Sequence, residues 1–291
     1  MPSAGGSPWG DLDRPPLRTD ALRRALAGPD GPLGRLEVVA ATASTNTDLA
    51  SAAADEGAWP HLSLLVAEHQ QAGRGRLGRG WETPARAALT TSLLLRPRAP
   101  RERWSWLPLL AGVAVVRALR EVAGVQAGLK WPNDVLLPAQ PGETPDGPHG
   151  AGKVAGLLAE VTGDAVVVGI GLNVTTRAGE LPPGATSLRE AGAATTDRDT
   201  VLRAVVRELG EGVRSWEAAG GDAVRSGLAA ATRELCLTLG LPVRVERPGT
   251  ALEGVAEGID DEGRLLVRTA SGRTEAVAAG DVTHLRDAGT S

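Results

Sequence analysis

The two lysines of this 291-residue chain point to the segments that can do chemistry. Lys130 and Lys153 are its only lysines, and the rest of its 31 basic residues are arginine. Lysine offers a compact, strongly hydrated point charge on a flexible stem, whereas arginine is a bulky planar fork. Each remaining lysine therefore marks a place where a guanidinium would not serve, unless both are chance survivors on a solvated surface.

Both lysines lie in short segments of unusual composition, and a third such segment precedes them. Lys130 begins the sequence Lys-Trp-Pro-Asn-Asp, and Lys153 begins Lys-Val-Ala-Gly-Leu-Leu-Ala-Glu. The third segment, residues 73–81, reads Gly-Arg-Gly-Arg-Leu-Gly-Arg-Gly-Trp. Chance explains the positions of the lysines poorly once the three segments are considered together.

Segment 73–81 has the composition of an anion-binding loop. Glycines let backbone N–H groups approach a ligand closely, and Arg74, Arg76 and Arg79 supply forks that match phosphate or carboxylate oxygens. Its spacing is not the dinucleotide fingerprint, and it lacks the Gly-Lys-Ser/Thr ending of the phosphate loop. A flexible turn or an RNA-binding patch has a similar composition, but a position between two apolar strands favours a ligand-binding loop on a rigid scaffold.

The other two segments offer polar groups at the start of predicted strands. We expect Pro132 to hold the chain extended, so that Asn133 and Asp134 project in fixed directions. An asparagine there can bind the edge of a base, and an aspartate can hold Mg²⁺ or orient an amine, although this pair is as compatible with capping a turn. Lys153 begins a strand in which Gly156 leaves room for a flat group, so its ammonium can bind a carboxylate or phosphate.

Hydrophobic patterning predicts the elements that position these residues. We expect helices over 18–27, from 44–47 to near Gly57, over 104–123 and over 199–219, and strands over 62–68, 88–95, 133–137, 153–161 and 165–174. The strand at 165–174 is apolar on both faces, so it should be central in its sheet. Gly169 and Gly171 leave gaps in that strand, which serve either a ligand or close backbone packing.

Beyond about residue 235 the pattern changes to short strands with glycine-bearing turns. Strands over 243–246, 252–257, 264–269 and 275–278 predict a small β-barrel. We therefore expect three parts: a partly disordered segment with a short helix over 1–35, a large domain over 36–232 and the barrel over 235–287. Residues 1–16 are rich in Pro, Gly and Ser and should be disordered, and 138–152 should form a low-complexity loop.

Composition excludes several classes of function. The net charge of −4, without a basic stripe, argues against general nucleic-acid affinity. The chain has seven Trp but no Phe or Tyr, so its core must be built from Leu, Val and Ala. Cys236, the one cysteine, excludes an intrachain disulfide, suits a reducing compartment and lies among leucines as a core residue would. Without an apolar run of about 18 residues or a signal-peptide pattern, we expect a cytoplasmic protein.

Taken together, the motifs resemble those of the biotin–protein ligases. The matching set is Ser44-Thr45-Asn46, Gln70, Gly73 to Trp81, Lys130 to Asp134, Lys153 to Glu160 and Gly169 to Asn173. The resemblance extends over about residues 36–286, and the Gly/Arg and Lys-Trp-Pro-Asn-Asp segments in this order are its specific part. It implies an α+β fold with a mixed or antiparallel sheet flanked by helices, similar to class II synthetases, and an SH3-like C-terminal β-barrel.

The resemblance also implies a reaction with two steps in one site. Biotin's carboxylate attacks the α-phosphate of ATP to give biotinyl-5′-adenylate and pyrophosphate, and a lysine of a biotin carboxyl carrier domain then takes the biotinyl group. Two anions must meet, so positive charge has to offset their repulsion. The implied catalytic residues are Arg74, Arg76, Lys153 and Asp134. The implied biotin-binding residues are Ser44, Thr45, Asn46, Gln70, Gly73, Arg74, Lys153, Gly156 and Gly171.

The implied adenylate-binding residues are Gly75, Arg76, Arg79, Trp81, Lys130, Asn133 and Asn173. Trp81 is expected to stack on the adenylate and Asn133 to bind adenine, and Asp134 either assists Mg²⁺ or orients the incoming amine. ATP and biotin are the implied substrates, and the partner is a carrier domain of acyl-CoA carboxylases. We expect a monomer or weak homodimer and no membrane partner.

Two alternatives remain, and one additional function of some family members is not expected. Family members that repress transcription carry a helix-turn-helix domain before the catalytic domain, and the short segment before Leu36 leads us to expect no DNA partner. Lipoate–protein ligases share the catalytic fold, but the Gly/Arg loop, the Lys-Trp-Pro-Asn-Asp segment and the terminal barrel favour biotin. A non-catalytic biotin-binding regulator is disfavoured by the complete set of charged residues.

Overall fold

A computed structural model describes residues 13–138, 150–247, 250–278 and 280–284, which form a seven-stranded sheet, a five-stranded sheet and a two-stranded ribbon. The helices are α1 Thr19–Leu26, α2 Thr45–Ala52, α3 Leu107–Ala123, α4 Arg198–Ala218 and α5 Leu228–Leu235. The strands are β1 Arg35–Val39, β2 Ser63–Ala67, β3 Gly73–Arg74, β4 Gly80–Trp81, β5 Ala88–Leu95, β6 Gly128–Lys130, β7 Asp134–Pro138, β8 Ala151–Thr162, β9 Ala165–Asn173, β10 Pro242–Arg247, β11 Thr250–Ile259, β12 Leu265–Arg268, β13 Thr274–Val277 and β14 Asp281–His284.

The large sheet has the strand order β1-β2-β5-β9-β8-β7-β6. Only β1 and β2 pair in parallel within it, and the other neighbours are antiparallel, so the expected mixed sheet is confirmed. The strand β9 lies fourth of seven, which confirms the central position that its apolar sequence predicts. The predicted helices and the strands of this sheet that we expected all form, with ends that differ by a few residues.

The two faces of β5 and β9 are buried by different helices, because side chains alternate along a strand. One face contributes Leu93, Leu95, Val166 and Val168 to the main core, in which α3 and α4 also lie. The opposite face contributes Leu94 and Val167 to a smaller cluster, which contains Leu49 of α2. Further along this second face, Ser92 pairs with Gly169 and Thr90 with Gly171, so the apolar contact with α2 gives way to small and polar residues.

Two sequence-based expectations near the ends of this sheet are wrong. Pro132 does not hold an extended segment: the Trp131–Pro132 peptide is cis, and 131–133 form the turn between the antiparallel strands β6 and β7. Residues 13–16 are not disordered, since Arg198 Nη2 donates to the Pro15 carbonyl and Arg14 Nη2 donates to the Thr175 carbonyl. Residues 1–12 and 139–149, where we expected a disordered tail and a low-complexity loop, lie outside the described residues.

The C-terminal strands form an antiparallel sheet with the order β13-β12-β11-β10-β14. The four predicted strands are present, and β14 is an addition that its short polar sequence did not reveal. This antiparallel C-terminal sheet is in keeping with the small barrel that we expected, although within the described ranges β13 and β14 do not pair to close it. The division into domains at about residue 235 stays a prediction, with which the two separate sheets agree.

The turn between β11 and β12 fixes the C-terminal sheet to the large one. Three donors of the large domain bind successive carbonyls of this turn: Trp106 Nε1 to Asp261 at 2.9 Å, Ser105 Oγ to Glu262 at 2.9 Å and Trp131 Nε1 to Gly263 at 3.0 Å. Because Trp131 lies in the Lys-Trp-Pro-Asn-Asp segment, the C-terminal sheet supports one of the three candidate site segments directly.

Cys236 is buried and unpaired, which confirms the core position that its leucine neighbours predict. Burial raises the pKa of its thiol above the usual value. Among the helices that the structure describes, none combines the length and the apolar composition that crossing a membrane requires.

Candidate active site

A cleft opens on the face of the large sheet where small residues replace the apolar contact with α2, and its empty space, open solvent included, is about 470 Å³. Gly156 of β8 pairs with Gly171 of β9, and Leu158 pairs with Gly169, so three glycines lie close together on this face. The residues that line the cleft are Ser44, Thr45, Asn46, Gln70, Arg74, Gly75, Arg76, Trp81, Thr91, Asn133, Lys153, Gly156, Leu157, Leu158, Gly169, Ile170 and Gly171.

A buried group of polar side chains lies at the N-terminus of α2. Thr45 donates both its backbone N–H and its hydroxyl to Gln70 Oε1, at 2.8 and 2.9 Å. Ser92 Oγ, fully buried on β5, lies 2.8 Å from Thr45 Oγ1 and 2.6 Å from Asn46 Oδ1. Because the Thr45 N–H requires an acceptor, Gln70 must present its oxygen to Thr45 and its Nε2 amide on the other side, beside Gly73.

Both the nitrogen and the oxygen of the Asn46 side-chain amide form hydrogen bonds within the protein. Its Nδ2 donates to the Leu158 carbonyl at 3.2 Å and to Glu160 Oε2 at 2.8 Å, and its Oδ1 accepts from Ser92. A Cβ atom on Gly169 would lie 2.3 Å from Asn46 Oδ1, so this glycine makes room for Asn46. Both amide hydrogens of Asn46 are therefore used inside the protein, which makes it a support of the cleft rather than a free donor.

The Gly/Arg segment folds into a small ribbon over the cleft. Gly73–Arg74 pairs antiparallel with Gly80–Trp81, and Gly78 adopts the left-handed conformation, with a φ of 74°, in the turn between them. The Trp81 indole rests on β8 and β9: a Cβ atom on Gly171 would lie 2.3 Å from Trp81 Cε2, and one on Gly156 would lie 3.2 Å from Cζ3. The flat group for which these glycines leave room is thus the Trp81 ring.

The charged side chains divide between the two ends of the cleft. Arg74 Nη2 contacts Glu160 at 3.2 Å and Thr47 Oγ1 at 2.9 Å, beside Asn46. At the other end Lys153 Nζ lies 2.7 Å from Asp134 Oδ1 and 5.8 Å from the centre of the Trp81 ring.

Asn133 belongs to the same end as Lys153, because Arg76 Nη1 donates to its Oδ1 at 3.0 Å. Lys153 and Glu160 are seven positions apart on β8, which corresponds to roughly 23 Å between their Cα atoms at about 3.3 Å per residue. Arg74 therefore lies with the polar group at α2, whereas Arg76 and Lys153 form the cationic end.

Most of the predicted site residues line this one cleft. The predicted residues that are not among the lining residues are Gly73, Arg79, Lys130, Asp134 and Asn173. Asp134 still contacts Lys153, whereas the buried Asn173 donates its Nδ2 to the Thr186 carbonyl at 3.0 Å and so holds a neighbouring loop. Among the described residues no group of three or more His, Cys, Asp or Glu side chains could hold a metal ion.

The lining residues Thr91, Leu157, Leu158, Gly169 and Ile170 were missing from our candidates. Also missing were Thr47, Ser92 and Glu160, whose side chains bond to those of lining residues. Glu160 ends the segment that begins at Lys153, and Ser92 is a polar residue in an otherwise apolar stretch of β5, so weak signals existed for both. Their partners are distant in sequence, because 114 positions separate Asn46 from Glu160. Neither role follows from spacing within a segment.

The arrangement suits an elongated ligand that has different chemistry at its two ends. The end at α2 offers a fixed amide donor and hydroxyl groups, as an uncharged polar group requires, and the other end offers Arg76 and Lys153, as an anion requires. The Trp81 ring covers the middle of the cleft. A polar ring joined by a chain to a carboxylate or phosphate fits this description.

Comparisons with known proteins agree with this geometry. Residues 38–175 match the biotin/lipoate A/B protein ligase family, and residues 238–285 match the biotin protein ligase C terminal domain. The chain is 44% identical over 281 residues to the biotin–[acetyl-CoA-carboxylase] ligase of Mycobacterium tuberculosis. The aligned residues make up 95% of this chain and 98% of that protein.

Two further matches are more distant. The bifunctional ligase/repressor BirA of Bacillus subtilis is 32% identical over 245 residues, which covers 81% of this chain and 69% of that protein. The biotin protein ligase of Aquifex aeolicus, solved in complex with biotin and ATP, superposes with a TM-score of 0.70 at 29% identity and covers 87% of this chain and 99% of that one.

Proposed function

Because the chain belongs to the biotin protein ligases, we propose that it attaches biotin to a lysine of a biotin carboxyl carrier domain through a biotinyl-5′-adenylate. Its reaction is ATP-dependent biotinylation. The observation that carries the proposal is one cleft with a buried Thr45–Gln70–Ser92 group at one end and the cations Arg76 and Lys153 at the other. Biotin has a ureido ring at one end and a carboxylate at the other, which matches both ends.

The polar end can bind the ureido ring through both kinds of hydrogen bond. A ureido group presents one carbonyl acceptor and two N–H donors. Gln70 Nε2 supplies a donor, and the Thr45 hydroxyl oxygen, which lines the cleft, supplies an acceptor. Thr45 Oγ1 donates its one proton to Gln70 Oε1 and accepts from Ser92 Oγ, so one of its two lone pairs remains for a ureido N–H.

The hydrogen-bonding groups at the polar end also favour biotin over lipoate as the substrate. A dithiolane ring has neither a carbonyl nor an N–H group, so it would leave the buried Gln70 amide and the hydroxyls without partners. Leaving a buried polar group unsatisfied costs about 1–3 kcal/mol. A site built to bind a polar group rejects an analogue that lacks it far more strongly than an apolar pocket rejects a small difference in size.

At the cationic end we assign Arg76 and Lys153 to the charge that develops at the α-phosphorus. Preorganised cations there offset the repulsion between biotin's carboxylate and the phosphates. Asn133 keeps Arg76 in place through its Oδ1, and its Nδ2 donates to the Leu157 carbonyl at 2.9 Å. Its second amide hydrogen remains available for the adenine. Trp81 covers the middle of the cleft and excludes water from the mixed anhydride.

Asp134 fits two roles in this proposal. Its ion pair with Lys153 holds the ammonium at the cationic end of the cleft, and a carboxylate there can orient the incoming lysine amine. Magnesium usually binds one or two carboxylates together with substrate phosphates rather than a protein cage. The single carboxylate of Asp134 is consistent with that pattern, and Mg²⁺ bound with ATP would neutralise part of the phosphate charge.

The carrier is the remaining substrate. The name of the M. tuberculosis relative points to the biotin carrier of an acetyl-CoA carboxylase, and we propose a carrier domain of this class. We further propose a cytoplasmic location, which the single unpaired cysteine suits, action as a monomer or weak homodimer, and no DNA partner.

The test is incubation with MgATP, radiolabelled biotin and a biotin carboxyl carrier domain. We expect label on one carrier lysine and none on a carrier in which that lysine is replaced by arginine. Labelling of a lipoyl carrier by lipoate, with none by biotin, would establish the rival ligase. Biotin binding without pyrophosphate release would establish a non-catalytic regulator.

A further inference from the structure

Glu160 is a carboxylate in a cleft that must bind two anionic substrates. Its Oε2 accepts from Asn46 Nδ2 at 2.8 Å, and its Oε1 lies 3.2 Å from Arg74 Nη2. An unpaired negative charge here would repel biotin's carboxylate and ATP, so this residue needs a purpose that outweighs the repulsion. The pairing with Arg74 neutralises it, and both of its partners line the cleft.

From these contacts we infer that Glu160 is a positioning residue for biotin binding, an assignment that rests on the proposed function. One carboxylate joins two elements that are distant in sequence: the N-terminus of α2, through Asn46, and the ribbon 73–81, through Arg74. The Asn46 amide in turn orients Ser92, whose hydroxyl reaches Thr45 in the buried polar group. Glu160 thereby positions two parts of the biotin end: the N-terminus of α2, through Asn46, and the ribbon 73–81, through Arg74.

The geometry of Arg74 shows why Glu160 supports rather than competes with a ligand. Both contacts of the guanidinium, to Glu160 and to Thr47 Oγ1, use the same nitrogen, Nη2. A guanidinium carries five N–H donors in a fixed fork. Holding Nη2 fixes the orientation of the fork, while Nε and Nη1 make none of the contacts to Glu160 or Thr47 and stay available to a ligand.

The position of Glu160 predicts which substrate it affects. It lies at the α2 end of the cleft, on the same strand as Lys153 but roughly 23 Å away by the spacing of β residues. Loosening Asn46 and Arg74 should therefore raise the KM for biotin, while the KM for ATP and kcat depend on the remote Arg76 and Lys153. A residue that merely stabilised the fold would change all three together or none.

Three substitutions at position 160 should raise the KM for biotin by different amounts. Glu160→Gln retains an oxygen for Asn46 but loses the charge that holds Arg74, and partly exposed ion pairs contribute no more than about fivefold. We expect a three- to fivefold rise in the KM for biotin, with kcat and the KM for ATP within twofold. Glu160→Ala removes both contacts and should raise the KM for biotin about ten- to thirtyfold. Glu160→Asp keeps the charge and should lie closer to the wild type than Glu160→Gln.

Asp164→Asn is the matched control. Asp164 lies in the turn after the same strand, is 95% exposed and forms an ion pair with Arg101 at 2.8 Å, and neither residue lines the cleft. The Asp164→Asn substitution removes one negative charge from a carboxylate–arginine ion pair, as Glu160→Gln does. We expect wild-type constants for this variant.

A second readout needs no ligand. Trypsin must bind the Arg74 side chain to cleave after it, and Glu160 holds that side chain on β8. In Glu160→Gln we expect cleavage after Arg74 to become about threefold faster relative to cleavage after Arg79 in the same ribbon, with no such change in Asp164→Asn. Because this arm uses the free protein, it distinguishes failure of this inference from failure of the proposed function.

Wild-type values in Glu160→Gln for both the KM for biotin and the Arg74 to Arg79 cleavage ratio would overturn the inference. Equal changes in the constants for biotin and ATP would assign Glu160 a purely structural role and would overturn it as well. If thermal melting shows that Glu160→Gln does not fold, the same two readouts on Glu160→Ala decide, since this variant removes the contacts to both Asn46 and Arg74.

Discussion

Lys153→Arg should be a severe substitution, although it keeps the positive charge. Lys153 Nζ lies 2.7 Å from Asp134 Oδ1 and 3.0 Å from the position of a Cβ atom on Gly156, with the Trp81 ring above it. A guanidinium is wider than an ammonium and would meet these neighbours. A planar guanidinium either displaces Trp81 from Gly156 and Gly171 or leaves the cleft, and in both cases the cation no longer faces the developing charge.

The size of the effect follows from what is lost in the transition state. Removing one preorganised donor to a developing charge costs about 100- to 1000-fold in rate, or about 2.7–4 kcal/mol. The Lys153–Asp134 pair is partly exposed, and such pairs contribute about 0–1 kcal/mol to folding. The variant should therefore fold with a melting temperature close to that of the wild type and lose activity for a local reason.

Pyrophosphate release from biotin and ATP measures the first half-reaction, and carrier labelling from supplied biotinyl-5′-adenylate measures the second. We expect the loss mainly in pyrophosphate release. Lys153→Met is the matched control, because it keeps a long unbranched side chain but has no charge, and Lys153→Arg should lie within about tenfold of it. Near-normal adenylate formation by Lys153→Arg would refute the steric argument and show that any cation serves at this position.

Gly171→Ala should displace the Trp81 ring, because its Cβ atom would lie 2.3 Å from Trp81 Cε2. We expect at least a tenfold rise in the KM for biotin. The control is Gly179→Ala, whose Cβ atom would meet nothing within 4 Å and which should have the wild-type KM. Biotin with ATP should slow tryptic cleavage after Arg74, Arg76 and Arg79 severalfold, since an anion relieves the repulsion among these arginines, and equal cleavage with and without ligand would contradict ligand-coupled ordering of the ribbon. The net charge of −4 predicts no complex that survives physiological salt in a gel-shift assay with DNA from a biotin-gene control region, and a discrete band would refute this.

The fold was predictable where local pattern decides the structure. Residues 165–174 are apolar on both faces, and such a strand can be buried only in the middle of a sheet, which is where β9 lies. The Gly/Arg ribbon was predictable as a loop for a similar reason, since glycines between two apolar strands cannot continue either strand. Pro132 misled us because a cis peptide and a tight turn satisfy its φ preference as well as an extended segment does.

The N-terminal segment shows why composition was insufficient elsewhere. Residues 13–16 have a disorder-prone composition, yet a buried ion pair between Arg198 and Glu68 at 2.6 Å fixes the chain beside them. The Pro15 carbonyl accepts from Arg198, and the Leu17 N–H donates to Glu68 Oε1 at 2.6 Å. These partners are up to 183 positions apart. Such contacts depend on the completed sheet, so no window of local sequence contains them.

The face of the sheet on which Lys153 lies could not be predicted from the alternation of side chains along a regular strand. Side chains on a regular strand alternate faces, so Lys153 and Gly156, three positions apart, should point to opposite sides of the sheet. Both line the cleft. The pairing of β7 with β8 explains this: Val135 pairs with Ala155 and the next residue, Leu136, with Lys153, so a bulge leaves Val154 without a partner.

A bulge of this kind changes which face of the sheet the neighbouring side chains point to, and here it brings the Lys153 ammonium to the face on which Gly156 and Gly171 lie. The strand pattern predicted from sequence is uninterrupted over 153–161 and gives no sign of the extra residue. The residue types of the site could therefore be recognised from the sequence, whereas the face on which Lys153 acts follows from the register between two strands that are paired only in the folded chain.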